Sequence, residues 1–92
     1  SVANFMQDTG IGEKLEALQQ KYNGALTVAF YSEHEPVLIE VGGNAYLLDL
    51  PEFQLPGTLE VSYDNTRSIR FRIETAEDIY TIINAHLNRN TK

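Results

Sequence analysis

The chain has 92 residues, 42% of them hydrophobic and 22% charged, with no cysteine and a formal net charge of −6. That length and apolar content suit one small folded domain, and they argue against a disordered chain. The missing thiols exclude disulfides, thiolate zinc sites and a cysteine nucleophile, and they fit a reducing compartment, so a cytoplasmic location is expected.

No apolar run approaches the roughly 20 residues of a membrane span, and no secretory leader is read, so no membrane partner is expected. The charge is unevenly spread. From Tyr22 to Thr66 there is no Lys or Arg, while Glu33, Glu35, Glu40, Asp49, Glu52, Glu60 and Asp64 all fall there. A cation-free middle repels phosphate backbones and anionic lipid, and it favours solubility or a basic partner.

In chain order, residues 1–10 (SVANFMQDTG) show no clear period and either pack through Phe5 and Met6 or stay loose. Gly12 to Tyr22 reads as a short helix with Ile11, Leu15, Leu18 and Tyr22 on one side, stopped by Asn23-Gly24. Ala25 to Tyr31 alternates as a strand. Pro36 then interrupts any central ladder, because it lacks an N–H. Val37 to Leu50 predicts a hairpin around Gly43-Asn44, pairing Val41 with Tyr46, Ile39 with Leu48 and Val37 with Leu50. Its other side holds Leu38, Glu40, Leu47 and Asp49. After a loop over Pro51–Gly57 carrying Phe53 and Leu55, a second hairpin pairs Tyr63 with Ile69 and Val61 with Phe71, setting Glu60 opposite Arg72. The last helix runs from about Ala76 to Leu87, with Thr75 as N-cap and Asp78 completing a capping box, and Asn88 to Lys92 is a polar tail.

The pattern predicts a single α+β domain over 1–92, a two-layer sandwich in which an N-terminal and a C-terminal helix cover an antiparallel meander of about five strands. The expected core is Leu15, Leu18, Val28, Phe30, Ile39, Leu48, Val61, Ile69, Phe71, Ile73, Ile79, Ile82 and Ile83.

The stretch SEHEP, Ser32 to Pro36, invites a metal reading. In extended chain Glu33 and Glu35 share a side while His34 points away, and a zinc site usually draws on three or four such groups. A charged turn explains the stretch. His86, near the edge of the last helix's apolar stripe, is explained by the helix dipole, which mildly favours a histidine at a C-terminus. No G-x-S-x-G elbow or H-E-x-x-H helix occurs, and Gly42-Gly43 lacks the helix and Lys-Ser or Lys-Thr of a phosphate loop. Neither an enzyme nor a cofactor is expected. Arg67, Arg70 and Arg72 form a basic strand face, but Tyr63 and Phe71 point to its opposite side, so nucleic acid is not expected as a partner.

The order of helix, antiparallel sheet and helix resembles the frataxin arrangement. That resemblance implies metal delivery, yet Lys14 and Lys21 interrupt Glu13 and Glu16, so the dense acidic ridge is missing. The segment SIRFRIETAEDIYTIINAHL resembles the strand–helix unit of LAGLIDADG homing endonucleases, without the namesake helix and its metal-binding acid.

The expected function is a non-enzymatic, acidic protein-interaction module, regulatory, inhibitory or an assembly subunit. Its partner would be another protein, a second copy of this chain included, and the contacts would come from Leu38, Glu40, Leu47, Asp49 and Phe53. The alternatives are a metal-responsive or metal-delivering domain of frataxin-like topology using acidic residues and His34, and single-stranded nucleic-acid binding through Arg67, Arg70 and Arg72. Surplus tyrosines and phenylalanines favour the first, because an aromatic brings contact area at low entropy cost.

Overall fold

The computed structural model describes residues 1–22, 27–30, 36–63 and 66–90, excepting the side chains of 27–30 and 90. The elements are α1 (Val2–Thr9), α2 (Ile11–Gln19), β1 (Thr27–Phe30), β2 (Val37–Val41), β3 (Asn44–Asp49), a 3-10 turn (Pro51–Phe53), β4 (Gly57–Ser62), β5 (Ser68–Ile73) and α3 (Ala76–Asn90). The class is α+β. Each strand pairs antiparallel with the next in chain order.

The helices form where their ends are satisfied. Residues 1–10, without a legible period, contain α1. The Ser1 hydroxyl accepts from Asn4 N–H at 3.3 Å, and Gly10 closes the helix at φ +74. Val2 and Met6, one turn apart, enter the core. In α2 the buried residues are Ile11, Leu15, Leu18 and Gln19. At the start of α3, Asp78 Oδ2 accepts from Thr75 N–H at 3.0 Å and from Glu74 N–H at 2.9 Å, while Asp78 N–H donates back to Thr75 Oγ1 at 3.3 Å. That is the expected capping box, and those backbone donors hold the Asp78 carboxyl below its ordinary range. The helix continues past Leu87 to Asn90, so residues 88–90 are helical and not a tail.

Both hairpins depart from the expected pairing by two residues. The β2–β3 turn is Gly42-Gly43, with φ +59 and +80, the left-handed pair a two-residue primed turn requires. Val41 therefore pairs with Asn44, Ile39 with Tyr46 and Val37 with Leu48. In the second hairpin Tyr63 N–H donates to the Arg67 carbonyl at 2.9 Å, so Tyr63 closes the loop and does not pair with Ile69. Val61 pairs with Ile69, Leu59 with Phe71, and Glu60 faces Arg70 in place of Arg72. A two-residue shift leaves every side chain on its expected face, because sheet alternation has period two.

One row of each of the strands β2 to β5 meets the helices. Val37, Ile39, Val41, Tyr46, Leu48, Leu59, Val61 and Ile73 join Val2, Met6, Ile11, Leu15, Leu18, Ile79, Ile83 and Leu87 in one buried cluster. Three expected core residues sit higher. Ile69 is 41% exposed, and Phe71 and Ile82 are half-buried. The cause is position, since β5 is the last strand and has no neighbour beyond it among the described residues. The side chains of Val28 and Phe30 lie outside the described residues.

One glycine reports how tightly the sheet end is packed. A Cβ on Gly57 would lie 2.3 Å from the Asp49 carbonyl oxygen and 2.7 Å from Leu50 Cδ2. Gly57→Ala should destabilise the domain by about 2 kcal/mol or more, because the strands must separate. Gly43→Ala, with open space but a left-handed backbone, should cost only about 1 kcal/mol. Urea unfolding of the two variants checks that ordering.

Candidate functional site

The residues expected to bind a partner fall largely on one surface. Leu38 and Leu47 are register partners, half-buried on the face turned away from the core cluster. Their row continues through Glu60, opposite Leu47, to Arg70. Glu40 and Asp49 are exposed on the same face, two residues along from Leu38 and Leu47 in opposite directions. Phe53 stands apart from the strands, 36% exposed in the turn after β3. Glu52 and Phe53 hold φ of +54 and +61 there, two consecutive non-glycine residues in the left-handed region. Such strain persists only where surrounding structure enforces it.

Two shallow depressions mark this face. One, of about 210 Å³, is bounded by Pro36, Leu47, Asp49, Thr58, Glu60 and Arg70. The other, of about 320 Å³, also touches Asp49, Thr58 and Arg70 and reaches Arg72 and the prolines at 51 and 56. The surface is thus acidic and apolar on β2 and β3 and basic on β5.

The arginines have partners. Arg70 Nη2 lies 3.3 Å from Glu60 Oε1, and Arg72 Nε lies 2.9 Å from Glu74 Oε1. Arg67 and Arg89 lie over the Tyr63 ring, 5.6 and 5.3 Å from its centroid. Tyr63 is therefore already covered by guanidinium groups, and Phe71 faces the helix side. A base-stacking platform beside Arg70 and Arg72 does not form among the described residues.

His34 and the rest of 31–35 lie outside the described residues. Among the described residues, no group of three or more His, Asp or Glu side chains could hold a metal ion. No described helix is long and apolar enough to cross a membrane.

A second arrangement escaped the sequence reading. Tyr46 and His86 are both buried, and the Tyr46 hydroxyl lies 2.6 Å from His86 Nδ1. Tyr63 meets the same imidazole edge-on at 5.3 Å between ring centroids. Burial raises the Tyr46 hydroxyl well above its ordinary range, and the nearby hydroxyls of Tyr22 and Tyr63 add to the effect. It therefore stays protonated and donates to Nδ1. Burial also lowers the His86 pKa, Arg89 lowers it further, and a hydrogen bond with the Ser62 backbone opposes both. The imidazole is neutral at pH 7. The helix dipole does not make it a surface cation, as the sequence position alone would suggest. The one available signal was Tyr46 itself, since a tyrosine in a wholly apolar row needs a hydrogen-bond partner.

No family model matches the chain, and neither the curated proteins nor the solved structures hold a significant match to it. Function has to be argued from these surfaces.

The lowered His86 pKa fixes the sign of one pH effect. On acidification the unfolded chain takes up this proton near the ordinary histidine value, and the folded chain does so only at lower pH. Stability linked to His86 is thus full above about pH 6.5, declines below it, and levels off under the lowered folded value. His86→Gln should flatten that decline between about pH 7 and pH 5. Tyr46→Phe, which removes the donor to Nδ1, should cost about 1–2 kcal/mol. Urea unfolding at several pH values, with an NMR titration of the imidazole, checks both.

Proposed function

We propose that this chain is a non-enzymatic protein-interaction module, a regulatory, inhibitory or assembly subunit that binds another protein through one sheet face and its adjoining turn. In this reading the domain has two layers. The helices shield one side of the meander, and the other side is left for a partner.

The observation that carries the reading is the Leu38–Leu47 pair. Two leucines paired across neighbouring strands sit half-exposed on the face opposite the core. Single exposed apolar residues are ordinary, but an apolar cross-strand pair rimmed by the carboxylates of Glu40 and Asp49 has the make-up of a small interface centre with a polar rim. Phe53 supports it from the neighbouring turn, where two left-handed residues hold the loop in a fixed shape. The buried Tyr46–His86 pair needs no catalytic role, because each group engages the other inside the core.

Leu38→Asp combined with Leu47→Asp tests the reading. The double variant should keep its circular dichroism spectrum and lose stability by no more than about 2 kcal/mol, since neither leucine is fully buried. It should also lose self-association in sedimentation velocity, or lose a partner that the wild type retains through cross-linking and purification. Unchanged sedimentation together with unchanged partner retention would show that this face is not the interface.

A further inference from the structure

We propose that the outer edge of β5, which pairs with no further strand among the described residues, is a docking site for an extended acidic peptide, which adds to the sheet as one more antiparallel strand. This inference does not rest on the outer-face reading, and it uses the strand edge that borders that face, where Arg70 and Arg72 lie.

The backbone parity of β5 follows from one bond. Tyr63 N–H donates to the Arg67 carbonyl, so these two residues form a hydrogen-bonded pair. In an antiparallel ladder such pairs recur at every second residue. With the observed register, Ile69 and Phe71 direct their N–H and C=O groups toward Val61 and Leu59 on β4. Ser68, Arg70 and Arg72 therefore direct theirs off the sheet. Three consecutive bonding positions are presented there, and β5 pairs with no other described strand.

The side chains give that edge two different faces. On the outer side Arg70 and Arg72 each keep 68% of the side chain exposed. Their ion pairs with Glu60 and Glu74 are consequently weak, and incoming carboxylates can share or replace them. On the helix side lies exposed Ile69, and beyond it half-buried Phe71 with Ile82, Ala85 and Thr81 lines a cleft of about 240 Å³. Arg89 and Tyr63 line the same cleft, and Arg67 lies over that tyrosine. Four of the chain's seven basic residues thus gather along one edge of a protein with net charge −6.

The occupant follows from this geometry. Residues of an added strand alternate between the faces. Those on the outer side would stand beside Arg70 and Arg72, so acids fit there. Those between would face Ile69, Phe71 and the α3 cleft, so apolar side chains fit there. The ligand is an extended segment reading acid, apolar, acid, apolar. A second copy of β5 does not suit, because antiparallel self-pairing sets arginine against arginine. Charge alone also serves to keep a sheet edge unpaired. Here, however, the apolar helix side of the strand is left partly uncovered, which a purely protective edge would avoid.

The test uses the full chain and a fluorescent nine-residue peptide alternating Glu and Val. Saturable binding that weakens with salt is expected, with hydrogen-exchange protection gained at the amides of Ser68, Arg70 and Arg72. Arg70→Glu with Arg72→Glu should weaken that peptide at least about tenfold and make an alternating Lys–Val peptide the better ligand. If the double glutamate variant fails to fold, Arg70→Gln with Arg72→Gln should still weaken binding. Leu38→Asn with Leu47→Asn, which adds no charge beside Arg70, should leave peptide affinity unchanged, which separates this site from the outer-face reading. The proposal is overturned by any of four results. These are no binding, equal binding of a block-ordered Glu and Val peptide, equal binding of one N-methylated at its Glu amides, which would face β5, and single-stranded oligothymidine protecting the three amides when the peptide does not.

Discussion

Three parts of the fold meet at Gly42. Its N–H donates to Gln19 Oε1 at 2.6 Å, which ties the β2–β3 turn to the end of α2. A Cβ at this position would lie 3.0 Å from Leu87 Cδ2 and 3.2 Å from Tyr22 Cγ, so α3 and the residues after α2 press directly on the turn. Gln19 is buried, and a buried amide deprived of its partner is costly. Gly42 must also hold φ +59 to close the hairpin. A one-residue slip of that turn would set the Val37, Ile39 and Val41 row and the Tyr46 and Leu48 row on opposite faces of the sheet. Sheet register and helix docking are therefore one constraint, satisfied at a single backbone position.

The Tyr46–His86 pair works one layer deeper. It joins the middle of β3 to the last turns of α3 by a hydrogen bond inside the apolar cluster. Among apolar side chains many packings differ little in energy, whereas a buried donor and acceptor tolerate few arrangements. This contact fixes the position of α3 along the sheet, and with it the cleft that the helix leaves beside β5.

Much of this was legible in the sequence, in a particular way. Apolar alternation identified which side chains share a face, and in β2 to β5 those faces hold. It did not identify which residues stand opposite one another, because shifts of two leave the pattern unchanged. Turn chemistry decides that, and GGN allows two placements of a two-residue turn. The N-terminal helix was hidden because only Val2 and Met6 of it are buried, with Phe5 partly so, too few to show a period. Ile69 looked like core by alternation, and only the knowledge that β5 ends the sheet places it at the surface. Leu38 and Leu47 were readable as neighbours on an outer face. The edge of β5 was not, since its bonding parity depends on where Tyr63 leaves the ladder. SEHEP, the most chemical-looking stretch, lies across residues that the described structure does not include, apart from exposed Pro36.

The contact between α2 and α3 has a consequence for how the chain folds as it is made. Lys14 reaches Glu77 across 63 residues of sequence, and the five strands lie between them. Each hairpin of the meander joins neighbours and can form early, because short loops close with little entropic cost. The helical layer cannot be completed until α3 has left the ribosome. During that interval the rows bearing Ile39, Tyr46, Leu48, Leu59 and Val61 form an apolar sheet surface covered only by the N-terminal helices. This domain is then at its most adhesive just before α3 emerges, and arrival of that helix buries Ile79, Ile83 and Leu87 against those rows.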